Sequence, residues 1–263
     1  MPLFTQPSRA PREPARISPQ SRKWIVLFVF SWVAGINQFL WLNLSPIISR
    51  IQKEYRISDI QVTMLLLVFP LIYVIFSYHS GRIIDRYGYR TSILFGFGWT
   101  AIFSLLRMWT SYWALLIAQI GIAIGQPYIV NAITKLVFDW FPFDQTALAT
   151  GLGTVGIFLC EVVSLAISAP VVEALGFVLA MGIFASITWI ACFAFYLWGV
   201  KCVRNSVSLP TTSIARDFWR KAKSRNSLLL FMGSFLGLGY FYALTDWIVA
   251  ILATQGLNAD QAG

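Results

Sequence analysis

The chain has 263 residues, of which 57% are hydrophobic and only 12% are charged, with a net charge of +9. Soluble domains carry about 25% charged residues, so this composition excludes an ordinary soluble domain and indicates an integral membrane protein. The basic excess does not indicate a nucleic-acid partner, because the Lys and Arg residues lie between long apolar segments, where they report membrane topology.

Seven apolar segments follow one another along the chain. Each is long enough to cross a hydrocarbon core about 30 Å thick as a helix of about 20 residues. Their internal glycines and prolines are typical of helices in bilayers, and none alternates with the period of a strand. The sequence therefore predicts an all-α integral membrane fold with spans at Trp24–Ile48, Gln61–Ser80, Thr91–Arg107, Trp113–Phe138, Ala147–Pro170, Phe177–Val200 and Leu228–Ala253.

The basic residues are divided unequally between the two sets of connections. Of the 20 Lys and Arg residues, 16 lie on the side of the amino terminus and four lie on the other side. By the positive-inside rule, this predicts a cytoplasmic amino terminus. The same asymmetry opposes a seven-helix receptor, because the amino terminus of such a receptor lies outside the cell.

The spacing of the spans divides the chain into four parts. Residues 1–23 form a predicted disordered basic cytoplasmic tail, and residues 24–200 hold six closely connected spans. Residues 201–227 form a basic cytoplasmic linker, and residues 228–263 hold the first helix of an incomplete second half. Six spans followed by a long charged linker is the plan of one half of a twelve-helix transporter, so we expect a truncated second half.

The connection between the second and third spans reads "GRIIDRYGYR" and fits the pattern G-x-x-x-D-R-x-G-x-R. It resembles the signature that the major facilitator superfamily carries at this place on the cytoplasmic side. We expect a turn of about ten residues in which one glycine takes a positive φ. The resemblance implies that a group of five residues latches the two transporter halves together in the outward-open state: Gly81, Asp85, Arg86, Gly88 and Arg90.

In this superfamily the first and fourth helices of each half line a central cavity. Span one carries Asn37 and Trp41 four residues apart, and span four carries Gln126 next to a proline that is expected to break the helix near mid-membrane. Span seven carries Tyr242 and Asp246, again four apart. These five residues are the predicted substrate-binding set.

Glu161 lies in the middle of span five, where an ionised carboxylate costs about 2.5–3.5 kcal/mol even on lenient insertion scales. It must therefore face protein or water, or be protonated. Three interpretations stay open: a proton carrier that couples transport, a counter-charge for a cationic solute, and a neutral side chain hydrogen-bonded between helices.

Three segments look like the feline leukaemia virus subgroup C receptor-related branch of the superfamily: "NQFLWLN", "GQPYIVNAITKLVFDWF" and "GYFYALTDW". Members of that branch move choline, ethanolamine and haem. The resemblance implies that Trp41, Gln126 and Tyr242 line the cavity, and aromatic faces suit a quaternary ammonium group through cation–π attraction. Asp246 and Glu161 depart from the branch pattern.

These observations together predict a secondary active or facilitative transporter of a small organic solute, such as the organic cation choline, that works by alternating access. The alternative is a transporter-derived receptor or sensor without flux. An enzyme is not expected, because the chain has one His, no H-E-x-x-H and no nucleotide-binding P-loop. The resemblance implies a plasma-membrane protein with three partners, namely the solute, lipid and a second transporter half, and with no cofactor, metal or nucleic acid.

Overall fold

A computed structural model describes residues 20–202 and 223–253, and this part of the chain is built from helices joined by short turns. Short 3-10 turns lie at Ser45–Ile47 and Phe143–Gln145. The helices are α1 (Gln20–Leu42), α2 (Ile48–Tyr55), α3 (Asp59–Leu106), α4 (Tyr112–Val130), α5 (Ala132–Trp140), α6 (Thr146–Leu175), α7 (Phe177–Cys202) and α8 (Arg225–Ala253).

The helices match the predicted spans. Five segments of the described chain are long and apolar enough to cross a membrane. One of them, α3, has 48 residues, which is more than twice the roughly 20 that one crossing needs, so it supplies the second and third spans. Helix α8 coincides with the predicted seventh span. Helix α1 begins at Gln20, so its first turn reaches into the predicted tail, while residues 1–19 and most of the predicted linker lie outside the described residues.

The predicted ten-residue turn between the second and third spans is wrong. Helical backbone continues on both sides of Gly88, and only this residue leaves the helical region, with φ 83° and ψ 161°. A Cβ atom would clash with the backbone in that conformation, so glycine is essentially the only residue that adopts it. One glycine therefore separates two membrane spans without a loop, and the predicted positive φ is confirmed.

The connection between α6 and α7 repeats this geometry. Gly176 has φ 81° and ψ 160°, nearly the values of Gly88. The sequences agree as well, since "IIDRYGY" (83–89) and "VVEALGF" (171–177) share two aliphatic residues, an acid, glycine and an aromatic residue in the same order. The second-to-third and fifth-to-sixth connections are thus equivalent, as a repeat of three helices plus three requires.

The fourth span is interrupted, although not at the proline. Pro127 lies inside α4, and the helix breaks four residues later at Asn131. The Asn131 side chain accepts a hydrogen bond from Tyr73 Oη at 2.7 Å and donates one to Ser80 Oγ at 2.9 Å. These bonds tie the junction of α4 and α5 to α3.

The apolar core forms two clusters. We call the end of the bundle that carries Gly88 the motif end, and the end that carries Gly176 the far end. The start of α1 lies at the motif end, where Trp24 packs edge-on against Phe141 with ring centroids 5.0 Å apart. Core residues at the motif end include Phe30, Ile84, Tyr89, Ile93, Phe97 and Leu136, and those at the far end include Leu65, Phe69, Leu115, Val172, Phe177 and Phe184.

Small residues bring the paired helices close together. Helix α3 packs on α4, where Gly96 faces Gly125, and α1 packs on α6, where Gly35 faces Cys160. A Cβ atom on Gly96 would lie 2.5 Å from the carbonyl oxygen of Gly125, so the backbones touch without side chains between them. Helix association in bilayers depends on this kind of close contact.

Candidate functional site: a buried polar layer

Five polar side chains lie between the two apolar clusters, at the middle of four helices. Each is at most 4% exposed. On α1, α4 and α6 they are flanked on one side by residues of the motif-end cluster and on the other by residues of the far-end cluster. This polar layer, at the depth where transporters of inverted-repeat design bind their solutes, consists of Asn37, Gln38, Thr100, Gln126 and Glu161.

A chain of hydrogen bonds joins three of these residues across three helices. Gln126 Nε2 of α4 donates to Gln38 Oε1 of α1, and Gln38 Nε2 donates to Glu161 Oε1 of α6 at 2.8 Å. The predicted residues Gln126 and Glu161 are therefore brought together through a residue that the sequence reasoning missed. Gln38 sits beside Asn37 in an apolar span, and the cost of burying its amide was the signal that could have identified it.

The predicted residue Asn37 makes a separate set of bonds. Its Nδ2 donates to Thr100 Oγ1 at 3.0 Å and to the carbonyl oxygen of Ile122 at 3.4 Å. Thr100 in turn donates to the carbonyl oxygen of Gly96 at 2.9 Å. Asn37 thus fastens α1 to the α3–α4 pair, while its Oδ1 has no hydrogen-bond partner among the described residues.

Trp41 lies one helical turn beyond Gln38, toward the far end, and is only 2% exposed. Its indole ring stacks on Phe69 of α3, with ring centroids 5.2 Å apart and planes 11° from parallel. One aromatic face is therefore covered by packing against α3.

Two serines of α6 support the layer from the same helix as Glu161. Ser164 Oγ donates to the carbonyl oxygen of Phe39 in α1 at 2.7 Å, and Ser168 Oγ donates to the carbonyl oxygen of Ser164 at 2.6 Å. Both serines are fully buried. The Ser164 bond holds α6 against α1, so packing and this bond together set the position of Glu161 relative to Gln38.

The seventh-span predictions concern helix α8. The backbone of α8 is helical at positions 242 and 246, but the side chains of Tyr242 and Asp246 lie outside the described residues. Helix α8 lies close to the Ser45–Ile47 turn, and its Phe241 ring contacts Phe158 of α6 with centroids 5.6 Å apart. The convergence of Tyr242 on Trp41 and Gln126 stays a prediction.

The predicted latch residues lie at the motif end. Arg86 is exposed and stacks over Tyr87, 5.2 Å from the ring centroid. Asp85, Arg86 and Arg90 form no ion pair within the described part of the chain, and a Cβ on Gly81 would meet no atom there within 4 Å. The surface that these residues offer is consistent with a partner elsewhere, and the latch stays a prediction.

The end of α5 is attached to the same motif. Trp140 Nε1 donates to Tyr89 Oη at 2.6 Å, next to Gly88. Lys135 and Asp139, one turn apart on α5, form an ion pair at 3.1 Å. The turn at Gly88 is thereby fixed to the fourth span as well as to its own helix.

A second buried polar group, toward the far end, was not predicted. Arg107 ends α3 and is only 1% exposed. Its NH1 donates to Asn43 Oδ1 of α1 at 2.7 Å, and its NH2 donates to Gln119 Oε1 of α4. Gln119 Nε2 donates to the carbonyl oxygen of Leu65 at 3.2 Å. The sequence reasoning treated Arg107 as a topology signal at a membrane surface, whereas the structure buries it.

The polar layer offers amide donors and acceptors together with one carboxyl group in a water-poor setting. That combination can hold a cation or a proton. A family model described as Major Facilitator Superfamily matches residues 27–263. The chain belongs to the Major Facilitator Superfamily. The family predicted from "GRIIDRYGYR" is therefore confirmed, and the chain is a multi-pass integral membrane protein.

Curated relatives agree with the narrower resemblance to the receptor-related branch. The chain is 27% identical over 283 residues to solute carrier family 49 member A3 of Danio rerio, covering 98% of this chain and 58% of that protein. It is 22% identical over 295 residues to the choline/ethanolamine transporter FLVCR1 of Mus musculus, covering 96% and 52%. The chain thus spans about half the length of the curated relatives it matches.

The fold also matches solved structures. A bacterial homologue of the human lysosomal transporter Spinster, in an inward-facing and occupied conformation, superposes with a TM-score of 0.68 at 14% identity. The match covers 93% of this chain and 57% of that chain. At this identity the likeness shows the fold alone, and it confirms the predicted superfamily-type half bundle.

Proposed function

We propose that the complete protein moves a small organic solute across a membrane by alternating access. In this proposal, residues 24–200 form one transporter half, and residues 228–263 begin the second. The observation that carries it is the buried chain Gln126–Gln38–Glu161, which crosses three helices between the two apolar clusters of the bundle. Polar groups at this depth are costly in a lipid environment and mark solute or ion pathways.

We further propose that the solute is an organic cation. Trp41 lies on α1 one helical turn from Gln38 of the polar layer, and Glu161 places a carboxyl group within that layer. One relative is named a choline/ethanolamine transporter, which supports a cationic solute here. The proposed binding set is Asn37, Trp41, Gln126, Tyr242 and Asp246, with Glu161 as the coupling or counter-charge residue.

The Trp41→Ala variant tests the cation site. A desolvated cation–π contact is worth about 2 kcal/mol, so we expect choline to bind about 5- to 30-fold more weakly to the purified full-length variant. Trp41→Phe should lose less, because one ring face survives. Titration calorimetry measures the dissociation constant, and uptake into proteoliposomes measures flux.

Trp32→Ala is the matched control. Trp32 lies on the same helix but is 52% exposed, outside the polar layer, so its loss should leave choline affinity unchanged. Unchanged affinity in folded Trp41→Ala would remove the cation site. Choline binding without any flux in the unaltered protein would instead favour a receptor or sensor.

We propose that the motif end faces the cytoplasm, as the distribution of basic residues indicates. Asp144 is exposed at the motif end, and Lys53 is exposed on α2 at the far end. In a background without native cysteines, a membrane-impermeant thiol reagent applied to intact cells should label Lys53→Cys and spare Asp144→Cys. Labelling of Asp144→Cys alone would show the opposite orientation.

The latch of Gly81, Asp85, Arg86, Gly88 and Arg90 is part of the same proposal. Its unpaired charges at the motif end are suited to carboxylates, carbonyl groups or a helix terminus on a facing transporter half. The partner surface would belong to the second half.

A further inference from the structure

Arg107 places a full positive charge inside the bundle. The side chain is 1% exposed, and its two recorded partners, Asn43 and Gln119, are neutral amides. Among the side chains that the structure describes, which leave out those of residues 1–21, 198–222, 242 and 245–263, no carboxylate forms an ion pair with it. Arginine keeps its proton in proteins, so this charge cannot be removed by deprotonation.

Two hydrogen-bond donors in this group also lack acceptors. Arg107 Nε and Asn43 Nδ2 are both buried and have no partner among the described residues. Both belong to one hydrogen-bonded group, because Asn43 Oδ1 accepts from Arg107 NH1 at 2.7 Å. This buried group therefore holds a positive charge and two N–H donors that have no acceptor among the described residues.

This arrangement is unfavourable unless something supplies negative charge. A buried unpaired ion and a buried unsatisfied donor both destabilise a fold. The carbonyl end of α3, which Arg107 terminates, contributes a partial charge of about half an elementary charge. The remaining charge and both donors still require an acceptor that carries negative charge.

We propose that Arg107 and Asn43 form a binding site for a small, singly charged anion. The ligand accepts hydrogen bonds from N–H donors of this group that lack acceptors, and it is either a halide from solution or the carboxylate of a solute. Arg107 is followed by the exposed residues Met108 and Trp109, so an ion would enter from the far end. This site lies beyond the polar layer and does not depend on the proposed transport function.

The first test measures thermal unfolding of the full-length protein in detergent at constant ionic strength. Sodium gluconate is the reference salt, because its bulky polyol chain keeps its carboxylate out of a buried site. Replacing it by sodium chloride should raise Tm in a saturable way, by about 3–8 °C at a hundredfold excess over Kd. Sodium acetate and glycine betaine serve as carboxylate probes. A response to chloride identifies a free anion, and a response to the carboxylates alone identifies an anionic group of a solute.

The Asn43→Asp variant supplies the proposed negative charge covalently. One carboxylate oxygen keeps the bond from Arg107 NH1, and the other replaces the unsatisfied Asn43 Nδ2, so a negative charge lies against the guanidinium. We expect this variant to unfold at a higher temperature than the unaltered protein in gluconate, and to lose the response to added anions. Asn and Asp have nearly the same shape, so the substitution should not disturb packing.

Asn37→Asp is the matched control on the same helix. Asn37 donates to Thr100 and Ile122 and has no cation among its recorded partners, so the same change there should lower Tm and leave the anion response intact. The site is refuted if the unaltered protein ignores chloride and both carboxylates. It is also refuted if Asn43→Asp is as destabilising in gluconate as Asn37→Asp, because a neighbouring segment of the chain would then already supply the negative charge.

Discussion

Gly125→Ala should lower the free energy of unfolding by about 1–3 kcal/mol, the usual cost of forcing extra atoms into a packed core. A Cβ at Gly125 would collide with Thr100 Oγ1 and lie 2.5 Å from the carbonyl oxygen of Gly96. That oxygen belongs to the backbone of α3, so only a separation of α3 from α4 relieves the contact. Because Thr100 accepts a bond from Asn37, the same movement disturbs the polar layer.

The measurement is thermal unfolding of the full-length protein in detergent, where Tm should fall by roughly 3–10 °C. Gly98→Ala is the control, since a Cβ there meets no described atom within 4 Å. Alanine favours helix over glycine by about 1 kcal/mol, so the control should keep or slightly raise Tm. Equal Tm values for Gly125→Ala and Gly98→Ala would show that α3 and α4 are not in backbone contact.

Most of the architecture could be predicted from the sequence, because a membrane span depends on the hydrophobicity of consecutive residues along the chain. Lipid requires about 20 consecutive apolar residues per crossing, and that requirement is visible without any knowledge of tertiary contacts. The positive φ at Gly88 followed from the motif in the same direct way. The length of the connection between the second and third spans could not be predicted from the motif. The sequence shows that this segment has polar residues, but it does not show that the helix continues through them.

The hydrogen-bond partners of the buried polar side chains could not be predicted, because they depend on how the helices are rotated and how closely they approach each other. Gln119 and Gln126 are seven residues apart on one face of α4, yet Gln119 bonds Arg107 and Gln126 bonds Gln38. Arg107 had the sequence signature of a surface residue at the end of a span. Its burial follows from the amide acceptors that α1 and α4 bring to it.

The three-plus-three repeat was expected from the paired polar residues of spans one and four, but the similarity between the two repeats in sequence was too weak to support it. The segments 83–89 and 171–177 share two aliphatic residues, an acid, a glycine and an aromatic residue, which is too short a match to separate from chance in an apolar chain. The nearly equal φ and ψ of Gly88 and Gly176 make it significant. Backbone geometry reports equivalence where side chains have diverged.

Glu161→Gln has the largest expected effect on function, and it separates the three interpretations of this residue. The variant keeps the shape of the side chain and an oxygen that can accept from Gln38 Nε2, and it removes only the ability to carry a proton or a negative charge. If Glu161 carries protons, accumulation driven by a pH gradient should disappear while solute exchange continues. If it is a counter-charge, affinity for the cation should fall by about 10- to 100-fold, or roughly 1.4–2.8 kcal/mol.

If Glu161 is a neutral hydrogen-bonding residue, transport and affinity should both survive, and only Tm should change. Glu54→Gln is the matched control, because Glu54 is an exposed acid on α2 that pairs with Arg50 at 3.9 Å, and exposed pairs contribute little. Gln38→Leu adds a further constraint, since it breaks the only recorded bridge between Gln126 and Glu161 among the described side chains. If the coupling role runs through this bridge, Gln38→Leu should impair accumulation as Glu161→Gln does. If Glu161 is instead a counter-charge that contacts the solute directly, Gln38→Leu should keep most of the affinity.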